Sequence, residues 1–321
     1  MNGQKVYVLY HGNCYDGFGA ALAAWIHFNN QAINAEYIPV LYGKEPPKME
    51  KLSDVFIVDF SYPPAVLLEI AQDKNTVVVL DHHATAEKDL SFESWLAALG
   101  PMQTINLAKK DPTGWLQCKN IHLKFDMTKS GAVMAWEYWH PTLKVPKMFQ
   151  YLQDRDLWKF KLPHSEAIST YMRTLPFDFG VWRHVMSEMD SEIGKREIVS
   201  AGVACLKLTR QMVDMMADHA RMMLFDMRND PPRIVPADFE PQEGQYLVPV
   251  SNATVFFSEV GNELLLRHPR AKFAAYYLDR KDGMRQWGLR SRDDFDCSAI
   301  AKAFGGGGHK QSSGFVEPIG A

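Results

Sequence analysis

The chain has 321 residues, of which 46% are hydrophobic and 23% charged, and a net charge of −3 at pH 7. Those values suit about two globular domains with full cores, and they exclude a globally basic track for long nucleic acid. No run of about 18 apolar residues marks a membrane span. The opening "MNGQKVYVLYHG" has no apolar core followed by a small-residue cleavage site, so it does not read as a secretory leader. The four cysteines, Cys14, Cys118, Cys205 and Cys297, are scattered with no CxxC pair. That predicts a reduced cytoplasmic chain without a structural zinc site, and neither the net charge nor the apolar pattern points to a membrane partner.

The first half alternates strand and helix. "KVYVLY" (5–10) predicts a strand, "GFGAALAAWIHF" (17–28) a helix, and "AEYIPV" (35–40) and "DVFIVDF" (54–60) two more strands. A helical stretch at 63–72 and the strand "TVVVLDHH" (76–83) follow. Short, fully apolar strands between helices predict a parallel sheet covered on both faces. From about 129 onward the pattern is helical, ending in a long helix over 197–227, before "RNDPPRIVP" (228–236) breaks it. Beyond it come a strand at 245–251, a helix at 258–268, a hairpin around "RKDG" and a helix at 297–304. The run "GGGGHKQSSGF" (305–315) closes the chain.

The polar residues at the strand ends carry the chemistry. His11 ends the first strand with Asp16 five residues on, Asp59 ends the third, and Asp81, His82 and His83 end the fourth. A single such residue reads as a turn former or a solvated tip. Three such ends on one edge of a parallel sheet bring carboxylates and imidazoles together, and a cation is the natural way to satisfy them. Mixed Asp/His ligation suits Mn²⁺, Fe²⁺ or Zn²⁺ better than Ca²⁺. An Asp bridging two metals would match two-metal hydrolysis of phosphate esters. In the last segment, Gly305–Gly308 would let backbone N–H groups approach an anion, with His309, Lys310, Arg290 and Arg292 adding charge. The glycine run is not a Walker loop, and "GFGAAL" does not fit G-x-G-x-x-G, which disfavours nucleotide-cofactor enzymes.

"LDHHAT" resembles the signature of the DHH phosphoesterase superfamily. "HGNCYDGFGAA", "VDF" at 58–60 and "QDRDLW" at 153–158 are similar to its other metal motifs, in order. "GLRSR…CSAIAKAFGGGGHKQSSGF" is similar to the associated DHHA1 domain. The resemblance implies an N-terminal parallel-sheet α/β DHH domain over 1–195, a linker helix and connector over 196–232, and a smaller α/β DHHA1 domain over 233–321.

It also implies roles for individual residues. His11, Asp16, Asp59 and His82 would be metal ligands, with Asp59 bridging two ions, usually Mn²⁺. Asp81 would orient the site, and His83 would ligate or sit near the scissile phosphate. Asp156 is the preferred fourth-motif ligand and Asp154 the alternative. Where many members carry D-x-D, the first acid falls on Cys14, so a thiolate could ligate a softer metal (Fe²⁺ or Zn²⁺; Mg²⁺ also stays open) or the site loses one ligand. Arg290, Ser291, Gly306, Gly307, Gly308 and His309 would bind substrate.

The two-domain size is like that of nanoRNases, which implies hydrolysis of short oligoribonucleotides or linear dinucleotides such as pGpG by a metal-activated water. Two alternatives stand beside it: a phosphatase of 3′-phosphoadenosine 5′-phosphate or short polyphosphate, and a decayed binding protein. Trp158, Trp287 and Tyr15 could stack a base or serve as core. The long helix could pair in a homodimer or only link domains.

Overall fold

The computed structural model describes residues 5–72, 76–99, 113–236 and 240–320. The chain divides into two compact units, Met1–Leu206 and Lys207–Ala321.

The first unit opens with β1 (Val6–His11), α1 (Tyr15–Asn30), β2 (Ala35–Val40), β3 (Asp54–Val58), α2 (Pro64–Gln72) and β4 (Thr76–Asp81). Then come α3 (Ala84–Asp89), α4 (Phe92–Leu99) and a hairpin of β5 (Trp115–Cys118) and β6 (Ile121–Phe125). The helices α5 (Gly131–Trp139), α6 (Lys147–Asp156), α7 (Ser165–Met172) and α8 (Phe179–Glu188) complete it, and α9 (Glu192–Asp218) runs on across the boundary. The sheet order is β2-β1-β3-β4-β6-β5. All neighbours are parallel except the β5–β6 edge.

The strands are buried on both faces because both of their alternating side-chain sets are apolar. Val6, Val8, Val58, Val78 and Leu80 join the core under α1, α5 and α6. Tyr7, Leu9, Val55, Ile57, Val77 and Val79 join the opposite core, under α2 and α4. The period of two thus faces a hydrophobic layer on either side, as parallel sheets require.

Strand order fixes where a site can form. From β1 the chain moves to one side for β2 and then to the other for β3. That reversal opens a crevice at the carboxyl ends of β1 and β3, the usual ligand position in open α/β sheets. His11 ends β1, Asp59 directly follows β3, and Asp81 ends β4.

The second unit adds β7 (Arg221–Asp226), β8 (Arg233–Pro236), β9 (Gln245–Asn252), α10 (Phe257–Arg267), β10 (Phe273–Asp279), β11 (Met284–Ser291), α11 (Cys297–Ala303), β12 (Gly307–His309) and β13 (Ser312–Pro318). They form a sheet ordered β12-β13-β11-β10-β9-β7-β8. α11 covers one face and α10, with the end of α9, the other.

One element differs from the sequence reading. The long helix ends at Asp218, and 221–226 is a strand paired to β8 and β9. "RMMLFD" is a short apolar run that fits a helix or a strand equally by periodicity. The choice is made by the partner strands, which lie further along the chain. No helix among the described residues is long and apolar enough to cross a membrane.

The first core predicts its own weak point. Leu22 on α1 is fully buried within it. Leu22→Ala should cost about 2–5 kcal/mol, read as a lowered urea midpoint. A shift no larger than that of a surface substitution would place Leu22 outside the core.

Candidate metal centre

Asp59 sits in the left-handed region at φ +54°. An aspartate tolerates that conformation better than most residues, though at some strain. The turn takes the chain sharply out of β3, while Asp59 N still donates to Leu80 O at 2.9 Å. The side chain is 2% exposed. Its Oδ1 accepts from His82 Nε2 at 3.0 Å, and its Oδ2 lies 3.6 Å from His11 Nδ1. His82 Nε2 also lies 3.5 Å from Asp156 Oδ2 and 3.7 Å from Asp16 Oδ2.

Asp16 is 3% exposed and is held by the start of α5. The N–H groups of Gly131 and Ala132 donate to its two carboxylate oxygens. A helix N-terminus carries unsatisfied donors and partial positive charge, so it suits a carboxylate. Gly131 is needed there for a second reason: a Cβ would come 2.5 Å from Asp59 Cβ. Gly17 similarly lets α1 start against the end of β1, since a Cβ would meet His11 O at 2.3 Å.

Asp81 is fully buried behind His82 and His83. Its Oδ1 accepts from His82 N at 2.7 Å, His83 N at 3.2 Å and His83 Nδ1 at 2.6 Å. It therefore fixes both histidines from behind. The His83 ring lies 4.6 Å from His82 and 6.0 Å from His11, centroid to centroid.

Three sets of ligand atoms lie within 4.8 Å of one another: His11, Cys14 and Asp59; Asp59, His82 and His83; and Asp16, His82 and Asp156. Asp59 belongs to two sets and so does His82. Asp154, the alternative to Asp156, is not brought to them. Its two oxygens accept from Lys161 N and Leu162 N, both at 3.0 Å, and shape the loop after α6.

The electrostatics are those of a cation site. Two carboxylates at this spacing repel by about 3–4 kcal/mol at an effective dielectric of 20. Burial, with the charges of Asp156 and Asp59, pushes the Asp16 carboxyl well up. Burial alone would lower the His82 imidazole, but the hydrogen bond to Asp59 and the charges of Asp16 and Asp59 outweigh it and raise it to about 10. Burial would raise Asp59, yet His11 and His82 hold it well below the usual carboxylate range. Among the described residues, Asp59 Oδ2, Asp81 Oδ2 and His11 Nδ1 are buried without a hydrogen-bond partner. Carboxylate, imidazole and thiol donors around orphaned lone pairs fit a divalent transition metal.

A cavity of about 160 Å³ opens beside this cluster, lined by Cys14, Tyr15, Asp16, Arg155, Asp156 and Arg173, among others. Sequence reasoning missed both arginines, although Arg155 lies within the quoted "QDRDLW". It also missed Gly131 and Tyr42. Ser130 caps α5, accepting from Val133 N, so "TKSGAV" carried a readable helix start. Tyr42 gave no signal; it is half-exposed in a loop, its ring edge-on to His11 at 5.3 Å.

Of the three named aromatics, Trp287 is core, with Nε1 donating to Glu317. Tyr15 lines the cavity, and its hydroxyl donates to Arg173 O. Trp158 is exposed beneath the Arg155 guanidinium at 4.2 Å.

The second unit has its own cavity of about 300 Å³, lined by Arg290, Gly307, Gly308, Tyr276 and Phe257, among others. Arg290 Nη2 donates to Ser258 Oγ at 2.9 Å, and its guanidinium lies 5.5 Å from the Tyr276 ring. Gly308 has φ +135°, open to glycine, and a Cβ at Gly306 would meet Gly314 O at 2.1 Å. Ser291, Gly306 and His309 do not line this cavity: Ser291 Oγ turns inward to Phe295 O and Lys310 O, and His309 pairs with Ser312 in the hairpin.

No family model matches the chain. It is similar to an uncharacterized protein of Acanthamoeba polyphaga mimivirus, 29% identical over 96% of this chain, and it spans 66% of that relative's length. Among solved structures it is similar to a manganese-bound exonuclease RecJ (14% identity, TM-score 0.46, 98% of this chain and 86% of that one). It is also similar to a pGpG-specific phosphodiesterase from Vibrio cholerae (11%, 0.44, 98% and 94%) and an exopolyphosphatase-related protein from Bacteroides fragilis (12%, 0.44, 99% and 88%). The functional reading rests on the residues of the site.

A proton on His82 takes the place of a cation at neutral pH, because its raised value lies above the solution pH. Loading a divalent ion must expel that proton, so affinity should rise about tenfold per pH unit for each proton released, up to about pH 10. Calorimetric titration with Mn²⁺ in two buffers of different ionisation enthalpy checks this. A pH-independent affinity without proton release would contradict it.

Proposed function

We propose that the chain is a divalent-metal-dependent phosphoesterase of the DHH/DHHA1 type, a hydrolase acting on short oligoribonucleotides and linear dinucleotides such as pGpG. The observation that carries this reading is the sharing of Asp59 and His82 between adjacent ligand sets. Shared ligands suit two ions bridged by one carboxylate, the arrangement that serves in-line displacement at phosphorus. His11, Cys14 and Asp59 would hold one ion, and Asp16, His82 and Asp156 the other, with Asp59, 3.0 Å from His82, shared between them. Bound there, the ions supply Lewis acidity and a nucleophile at neutral pH.

The chain's own groups position the substrate. Asp81 holds His83 by Nδ1, which fixes the ring beside His82 for a role at the substrate phosphate. Arg155 and Arg173, on the cavity beside Asp16 and Asp156, offer forked donors to a further anionic group. Tyr15 on its wall and Tyr42 beside His11 offer aromatic surface, which favours a base-bearing substrate over polyphosphate. On the second unit we assign Arg290, Gly306, Gly307, Gly308 and His309 to substrate binding, with Arg290, Gly307 and Gly308 on the cavity wall, and leave out Ser291, whose hydroxyl is turned inward. We place the enzyme in the cytoplasm, a reducing compartment that suits its four free cysteines.

The test is a panel of labelled dinucleotides, longer RNA, 3′,5′-bisphosphoadenosine, cyclic dinucleotides and polyphosphate, with Mn²⁺ and with Mg²⁺. Dinucleotides should turn over fastest. No Mn²⁺-stimulated hydrolysis of any member would sink the enzyme reading, and a preference for bisphosphoadenosine or polyphosphate would favour the phosphatase. His82→Ala and Asp81→Ala should each lower kcat/KM by roughly 10²-fold or more, the scale on which lost charge-stabilising groups act. Circular dichroism should be unchanged. Full activity in either variant would remove that residue from the site.

A further inference from the structure

We infer that Cys14 ligates a divalent metal through its sulfur and biases the centre toward thiophilic ions, Zn²⁺ or Fe²⁺, over Mn²⁺ and Mg²⁺. This rests on the phosphoesterase reading and deepens it by assigning the ion.

Cys14 precedes α1 with an extended backbone (φ −121°, ψ 133°) and caps the helix with no side-chain hydrogen bond. Its sulfur lies within 4.8 Å of a ligand atom of His11 and one of Asp59. The second observation is independent of the cysteine. Asp59 Oδ2, on a side chain 2% exposed, has no hydrogen-bond partner among the described residues, and neither has His11 Nδ1 at 3.6 Å from it. Leaving a buried carboxylate oxygen unsatisfied is costly. One cation at this point would satisfy nitrogen, oxygen and sulfur together.

The donor set then selects the ion. Carboxylates and water suit Mg²⁺ and Mn²⁺, whereas thiolate suits Zn²⁺ and other softer ions. Forming the sulfur–metal bond would release the thiol proton to solvent, since a coordinating thiol is deprotonated outright. The competing role is packing: Cys14 also lines the 160 Å³ cavity. A packed cysteine would leave metal spectra and metal preference untouched.

Cobalt substitution separates the two roles. The full chain loaded with Co²⁺ should show a near-ultraviolet sulfur-to-cobalt charge-transfer band that Cys14→Ser and Cys14→Asp both lack. Cys14→Ala should lose more Zn²⁺ affinity than the roughly 10–100-fold that removal of an outer partner of a ligand costs. Cys14→Asp keeps an anionic donor, so it should hold Mn²⁺ while its Zn²⁺-over-Mn²⁺ preference falls by about tenfold or more. Circular dichroism of each variant controls for the fold. Where Cys14→Ala does not fold, Cys14→Asp and the wild-type band decide. Cobalt binding without the band, or an unchanged metal preference in Cys14→Asp, overturns the inference, and the phosphoesterase reading survives if Mn²⁺-stimulated hydrolysis persists. A chain that takes up no divalent ion and hydrolyses nothing overturns both.

Discussion

The N-terminal unit is organised around like charge confined to a low-dielectric pocket. Asp16, Asp59 and Asp156 all reach within 3.7 Å of one imidazole nitrogen, that of His82. Nothing in hydrophobic packing asks for this. It has to be held against repulsion by features that would otherwise be unnecessary: amide donors at the start of α5 on Asp16, a left-handed turn at Asp59, and a buried Asp81 that pins two histidines from behind. The apolar layers on either face of the sheet supply the stability on which that strain is imposed.

The topology explains why these groups meet at all. His11, Asp59 and Asp81 come from neighbouring parallel strands, so each arrives at the same edge. The helices deliver the others: α1 carries Asp16 in its first turn, and α6 carries Asp156 at its last residue. Asp16 and Asp59 are shielded from water, which strengthens their interaction with any cation and with each other, while Asp156 stands at the exposed edge of the cluster.

Much of this was legible in the sequence because parallel-sheet periodicity is strong. Apolar runs ending in His11, Asp59 and Asp81 specify both the strands and the edge. Asp16 was reachable because it opens a clear helix. Less legible were features that depend on contacts between distant segments. Gly131 looks like any glycine until Asp59 is packed against it. The choice between Asp154 and Asp156 depended on which one meets loop amides at Lys161 and Leu162. Periodicity likewise could not tell that "RMMLFD" pairs with strands rather than prolonging α9. Ser291 sits beside Arg290 in sequence, yet strand alternation turns it to the opposite side, toward Phe295 O.

The spread of the ligands along the chain has a consequence for biosynthesis. From His11 to Asp156 the centre draws on strands and helices that emerge from the ribosome far apart in time. An N-terminal fragment that stops before α6 carries His11, Cys14, Asp16, Asp59, His82 and His83 but lacks Asp156. In such a nascent chain the set of Asp16, His82 and Asp156 is the one left open, and it closes only when α6 packs onto the unit.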